Sequence, residues 1–223
     1  MKEHTLRTIL RSTFTALFAA LICAGCFISI PVPGSALPIA VQNMLCMLAG
    51  GILGGIHGAG AVGLFIILGV MGLPVFSGGH KGFSWLAGPT GGYLWGYFIG
   101  ALLVGLILGT PHVSEKKFSI RMWIKIALAS LLGYAVVYAP GIPWFMHLMK
   151  GQGNPVSFER ALRLMFIPFI PGDVIKLIAT VPLVAVLRPA AARFLYPAEE
   201  KELREMLDDL KARDGSSSAA DGN

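Results

Sequence analysis

The sequence predicts an all-α integral membrane protein, a six-transmembrane-helix bundle with a glycine-rich loop between spans three and four. Three observations predict it. Apolar residues fill 55% of the 223 positions and charged residues 13%, with a mean hydropathy of +0.70; a water-facing surface usually needs about 25% charged residues. The charges are also segregated: between Arg11 and Arg188 the acids are Glu115, Glu159 and Asp173. Finally, six apolar stretches approach the roughly 20 residues that cross about 30 Å of hydrocarbon.

The first span runs from about Thr8 to Ile30 and ends at Pro31-Val-Pro33-Gly34. The second (about Pro38 to Ile56) and third (about Gly58 to Phe76) are divided only at Gly54-Gly55-Ile56-His57-Gly58, and each is short. The fourth covers about Pro89 to Gly109. The fifth covers about Trp123 to His147, with a break expected near Pro140-Gly141, and the sixth about Ile170 to Leu187. Together they make a six-helix transmembrane domain over residues 1–196.

After Pro197 the pattern becomes that of a water-soluble helix. Glu199, Glu200 and Glu202 suit its N-terminus, Lys211 and Arg213 its C-terminus, and Leu203, Leu207 and Leu210 form one narrow stripe. A short cytosolic helix is expected over 197–213, followed by a disordered Ser-, Ala- and Gly-rich tail over 214–223.

Six spans put both termini on one side. That side carries Lys2, Arg7, Arg11, Lys116, Lys117, Arg121, Lys125, Arg188 and Arg193; the other carries Lys81, Lys150, Arg160 and Arg163. The excess of Lys and Arg places both termini in the cytoplasm, in a multi-pass protein of the cell membrane. The net charge of +6 is spread between apolar runs and does not cluster with aromatics, so no nucleic-acid partner is expected.

Lys2, Arg7, Arg11 and the run up to Ala24-Gly25-Cys26 imitate a lipoprotein signal, but Cys23 stands where leucine is usual and apolar Phe27–Ile30 follows. The cysteines Cys23, Cys26 and Cys46 read as buried small residues. The histidines are scattered without metal-ligand spacing, no Lys-Ser/Thr follows Gly91-Gly92 to make a P-loop, and no cofactor is expected. A membrane serine hydrolase using Ser84 and a histidine is the rival of a different class.

Three features can carry function. Asp173 and Lys176, in Pro171-Gly-Asp-Val-Ile-Lys176, lie one helical turn apart. A charge at membrane depth costs about 2.5–3.5 kcal/mol on insertion scales, so it persists where it pairs or binds something. The pair is either a ligand site or a structural ion pair at an interface end. The segment Gly72–Tyr93 is too rich in glycine to span as a helix, and forms either a binding lid or a plain re-entrant turn at the outer face. Ala16, Ala20 and Ala24 make a small-residue stripe, suited to docking another helix or to packing within the bundle.

Six stretches, in order, resemble one family: Ala16-Leu-Phe-Ala-Ala20; Pro38-Ile-Ala-Val-Gln-Asn-Met44; Leu48-Ala-Gly-Gly51; Gly72-Leu-Pro-Val-Phe-Ser-Gly-Gly79; Gly88-Pro-Thr-Gly-Gly-Tyr93; and Pro171-Gly-Asp-Val-Ile-Lys176. The chain resembles BioY, the biotin-specific S components of energy-coupling-factor (ECF) transporters, over most of residues 10–190. The resemblance implies a six-helix bundle with one outward-facing biotin pocket, no enzymatic activity, and a transmembrane coupling subunit with two ABC-type ATPases as partners in the lipid bilayer. It implies Asp173, Lys176, His80, Tyr93, Gly88, Thr90, Gly91 and Gln42 as substrate-binding residues, and Ala16, Ala20 and Ala24 as the docking face. Asp173 suits the ureido N–H groups, and Lys176 suits either the ureido oxygen or the carboxylate. Phe83, Trp85 and Tyr93 would cover the rings.

The chain departs from some relatives at His80, where they carry Asn, and at Leu94, where they carry Arg. His80 or Lys81 is expected to take over the polar role. Gln42 is either a ligand contact or a bridge between helices. An S component for another vitamin is the alternative of the same architecture, and a BioY-like chain working alone is a further variant.

Overall fold

The structure, a computed structural model, describes residues 3–30, 39–111 and 119–195. The helix expected over 197–213 and the tail over 214–223 lie outside the described residues.

Helix α1 (Glu3–Ala24) continues into a 3-10 turn at Gly25–Phe27. Two-residue strands β1 (Ser29–Ile30) and β2 (Ile39–Ala40) then pair antiparallel, Ser29 with Ala40 and Ile30 with Ile39, a small addition to the helical expectation. Helices α2 (Gln42–Leu53) and α3 (Gly55–Val70) follow, separated by Gly54 alone. Gly54 has φ +85°, a conformation that side-chain-bearing residues rarely adopt. Gly58 packs against the backbone of Gly50, so the two helices fold back on one another about that hinge.

The chain continues through α4 (Phe83–Leu86), α5 (Gly91–Leu108), α6 (Ile120–Gly151), α7 (Phe158–Met165), a 3-10 turn at Ile167–Phe169, and α8 (Ile170–Leu195). Among the described residues, four stretches are long and apolar enough to cross a membrane: Thr8–Phe27, Gly91–Leu108, Ile120–Gly151 and Phe158–Leu195; α2 and α3 are shorter apolar helices. Helix α5 is apolar on every side, as a helix between a core and lipid should be. Its Ala101 and Val104 are buried while Ile99 and Leu106 face outward.

The break expected near Pro140-Gly141 is absent: α6 continues through both Pro140 and Pro143 for 32 residues. Proline removes a helix hydrogen bond, but a membrane helix tolerates that loss where a neighbour packs closely. Here α5 supplies the neighbour. Gly92, Gly96 and Gly100, four residues apart, lie against Pro140, Val137 and Gly133 of α6, and a Cβ at Gly96 would come within 2.6 Å of the Val137 carbonyl oxygen. The same close approach joins α2 to α5, where Gly50 meets Ala101. Met47, Ala101, Val104, Ala129 and Val184 form the core between these helices.

Helix α7 was not expected. Ser157 caps it by accepting from the Arg160 N–H at 3.3 Å, and Glu159 pairs with Arg163 at 2.7 Å on its exposed side. Ala161 and Met165 pack on Ile142 and Phe145 of α6. This packing sets where α8 begins.

Candidate functional site

A cavity of about 190 Å³ lies at the end of the bundle where α2, α5 and α8 begin. One buried water needs about 10–15 Å³, so the space suits a small organic molecule. The segment between α3 and α5 lies over this end and supplies Ser77, Gly78, His80, Trp85 and Thr90 to its lining. It is held down on both sides: the Gly82 N–H donates to the Gly69 carbonyl at 2.7 Å, and the Gly78 N–H to the Cys26 carbonyl at 3.2 Å. The Phe76 ring fills the space that a side chain at Gly69 would take.

Asp173 sits in the first turn of α8 and Lys176 one turn on, and both line the cavity. Their side chains are 15% and 8% exposed, and Lys176 Nζ donates to Asp173 Oδ1 at 2.8 Å. The ammonium also donates to Asn43 Oδ1 at 3.0 Å, and the Tyr138 hydroxyl donates to Asp173 Oδ2. Three helices therefore meet in one polar chain, Asn43–Lys176–Asp173–Tyr138, at the wall of a largely aromatic space. An ion pair at this depth repays its desolvation only when its remaining hydrogen-bonding capacity is met. Lys176 keeps one further N–H and Asp173 its remaining lone pairs for something in the cavity.

The other expected site residues divide. His80 and Trp85 stack flat, with centroids 3.6 Å apart and planes 10° apart, at the cavity rim. Tyr93 lines the cavity with its ring, while its hydroxyl is spent on the Met165 carbonyl at 2.9 Å. Thr90 lines it too. Gln42 is in the lining, but its Nε2 donates to the carbonyls of Ile22 at 3.0 Å and Val75 at 2.7 Å, so its amide bridges α1 and the covering loop.

Of the expected set, Gly88 and Gly91 are outside the lining. The Gly88 carbonyl accepts from Trp144 Nε1 at 2.9 Å, and Gly91 abuts the Leu86 carbonyl, so both bring backbone close to protein. Phe83 and Lys81 are exposed and outside the lining as well, which leaves Trp85 and Tyr93 of the three expected rings. Ser84 is exposed, is outside the cavity, and has no hydrogen bond to a histidine among the described residues.

Asn43, Tyr97, Tyr138 and Phe169 line the cavity and were not expected. Asn43 had a signal, since Gln42-Asn43 is an amide pair opening an apolar run; the tyrosines, inside apolar spans, had none. Away from the cavity, Ala16, Ala20 and Ala24 are exposed on the outer side of α1 with Leu17 and Leu21, while Ala19 and Ile22 face the core. The alanine stripe is thus turned out of the bundle.

The model of the BioY family matches residues 1–193. A biotin transporter BioY of Rhodobacter capsulatus is 36% identical over 187 residues, covering 80% of this chain and 95% of its own. One from Thermotoga maritima is 34% identical over 165 residues, covering 73% of this chain and 86% of its own. The crystal structure of the S-component for biotin from an ECF-type ABC transporter matches with a TM-score of 0.69 at 33% identity, over 84% of this chain and 94% of that one.

Proposed function

The chain belongs to the BioY family, and from that premise we propose that it carries out biotin uptake as the substrate-binding S component of an ECF transporter. The observation that carries this reading at the level of chemistry is the buried Asp173–Lys176 pair facing an aromatic-walled cavity. Biotin presents a urea with two N–H donors and one acceptor oxygen, an apolar sulfur ring and an acid tail. A carboxylate beside an ammonium matches the urea's donors and acceptor, and Trp85, Tyr93 and Tyr97 match the ring. Binding of this kind needs no covalent step.

The finer assembly belongs to the same reading. The four long apolar stretches together with α2 and α3 make six crossings, with residues 71–90 as the glycine-rich loop over the pocket. The end remote from the cavity carries Arg11, Arg121, Lys125, Arg188 and Arg193, which puts that end in the cytoplasm and the cavity outside. The exposed Ala16, Ala20 and Ala24 let a helix of a transmembrane coupling subunit approach closely, and two ATPases attached to that subunit supply the energy.

The test is equilibrium binding of labelled biotin to the purified chain, with unlabelled biotin, riboflavin and thiamine as competitors. Saturable binding displaced by biotin alone is expected. Displacement by either other vitamin, or no saturable binding, refutes the assignment.

A further inference from the structure

The lining of the cavity contains one carboxylate and one ammonium, and these neutralise one another at 2.8 Å. Two of the three Lys176 N–H groups are taken by Asn43 and Asp173. A substrate carboxylate drawn onto Lys176 would set two buried carboxylates against one ammonium, an arrangement that desolvation and like-charge repulsion both oppose. His80, the remaining basic group of the lining, is exposed and lies flat on Trp85.

Two residues of the lining carry hydroxyls that lack partners. Ser77 Oγ and Thr90 Oγ1 are buried and have no hydrogen-bond partner among the described residues. Buried hydroxyls are nearly always hydrogen-bonded, and leaving one unmade is costly, so each needs an explanation. The third such oxygen, Ser130 Oγ, lies within α6 and outside the cavity. Ser77 sits in the turn that pairs Phe76 with His80, and the next residue is anchored to Cys26. Thr90 immediately precedes α5, an 18-residue helix whose N-terminal dipole favours negative charge. A carboxylate only accepts hydrogen bonds and takes several at once, whereas these hydroxyls each have a proton to give.

Resting on the biotin reading, we propose that Ser77 and Thr90 receive the carboxylate of the substrate's side chain, leaving Asp173 and Lys176 to the ring urea. The tail is then read by neutral donors. An uncharged tail is tolerated, and the cavity accepts side-chain amides of the same ring system as a second class of substrate.

The experiment measures the affinities of biotin and biotin amide for the purified wild-type chain and for Ser77→Ala and Thr90→Val. Wild type should prefer the acid by no more than about thirtyfold, the scale of charge-assisted over neutral hydrogen bonds. Each variant should weaken biotin by about five- to thirtyfold and the amide by about two- to threefold, so that the acid-over-amide ratio falls. Retained amide binding shows at the same time that each variant is folded. The proposal is overturned if the ratio is unchanged in both variants, or if wild type and both variants prefer the acid by more than about a hundredfold, the mark of a cation on the tail. A wild-type chain that binds neither ligand overturns the biotin reading itself, a distinct outcome.

Discussion

Replacing Asp173 and Lys176 singly and together separates an ion pair kept for a ligand from one kept for the fold. Lys176→Met leaves the Asp173 carboxylate, 15% exposed, with the Tyr138 hydroxyl as its remaining partner. Removing one member of a buried pair costs about 3–5 kcal/mol, and this variant belongs at the upper end. Asp173→Asn keeps an oxygen facing the ammonium, and Lys176 keeps Asn43 at 3.0 Å, so its cost belongs near about 3 kcal/mol. The double variant leaves no uncompensated charge, and its stability should return to within about 1 kcal/mol of wild type, far from the additive expectation. Stability is read from thermal unfolding in detergent, followed by the four tryptophans, and function from biotin binding in the same samples. The expected double variant is stable and fails to bind biotin. A stable double variant that binds biotin as wild type does would make the pair purely structural, and the chemical argument for the site would fail.

Two further outcomes test the frame around the site. Gly96→Leu drives a side chain into the Val137 backbone across the α5–α6 seam and should cost about 3 kcal/mol, seen as a lower thermal midpoint; an unchanged midpoint would mean that the seam is not close-packed. Ala20→Trp, on the exposed side of α1, should leave biotin affinity of the purified chain within about twofold while uptake by cells falls by about tenfold or more, and equal uptake would remove this face from the docking surface.

What the sequence disclosed follows from which interactions are local. Helix α8 and its Asp173–Lys176 spacing were readable because both charges lie on one helix and stand out against apolar neighbours. The hinge at Gly54 was narrowed to the right five residues, since Gly-Gly flanked by apolar runs has few other uses. The α5–α6 seam was also written there, in Gly92, Gly96 and Gly100, but small-residue spacing does not say which helix answers it, and the expected break at Pro140 misread a helix that continues through both prolines against that seam. Asn43 and Tyr138 reach Lys176 and Asp173 from 133 and 35 positions away in the chain, and no local pattern announces such pairings. Gly88 and Gly91 show the converse. A Gly-rich stretch signals that something approaches closely, and the sequence does not name Trp144 and Leu86 as the groups that do so here.

The two ends of the bundle are built on different principles. At the end remote from the cavity, Arg188 is completely buried and donates to the carbonyls of Gly51 at 2.6 Å, Leu108 at 3.1 Å and Gly109 at 2.9 Å. Those carbonyls belong to the C-terminal ends of α2 and α5, where the helix dipole is negative, so one guanidinium from α8 ties two helix ends together. Lys125 adds a contact to the Leu108 carbonyl at 3.4 Å, and Arg11 joins α1 to the end of α8 through the Leu195 carbonyl at 3.2 Å. Opening this end would strip several charge-assisted hydrogen bonds, each worth about 1.5–3 kcal/mol, in a place with little water to replace them. At the cavity end, by contrast, the cover is a loop held by neutral hydrogen bonds at Gly82, Gly78 and Gln42, with His80 stacked on Trp85 at the rim. Each neutral bond there is worth about 0.5–1.5 kcal/mol, less than a charge-assisted one. The two ends therefore differ in kind: charge-assisted hydrogen bonds to helix carbonyls hold the end at Arg188, and neutral bonds and ring contacts hold the cover of the cavity.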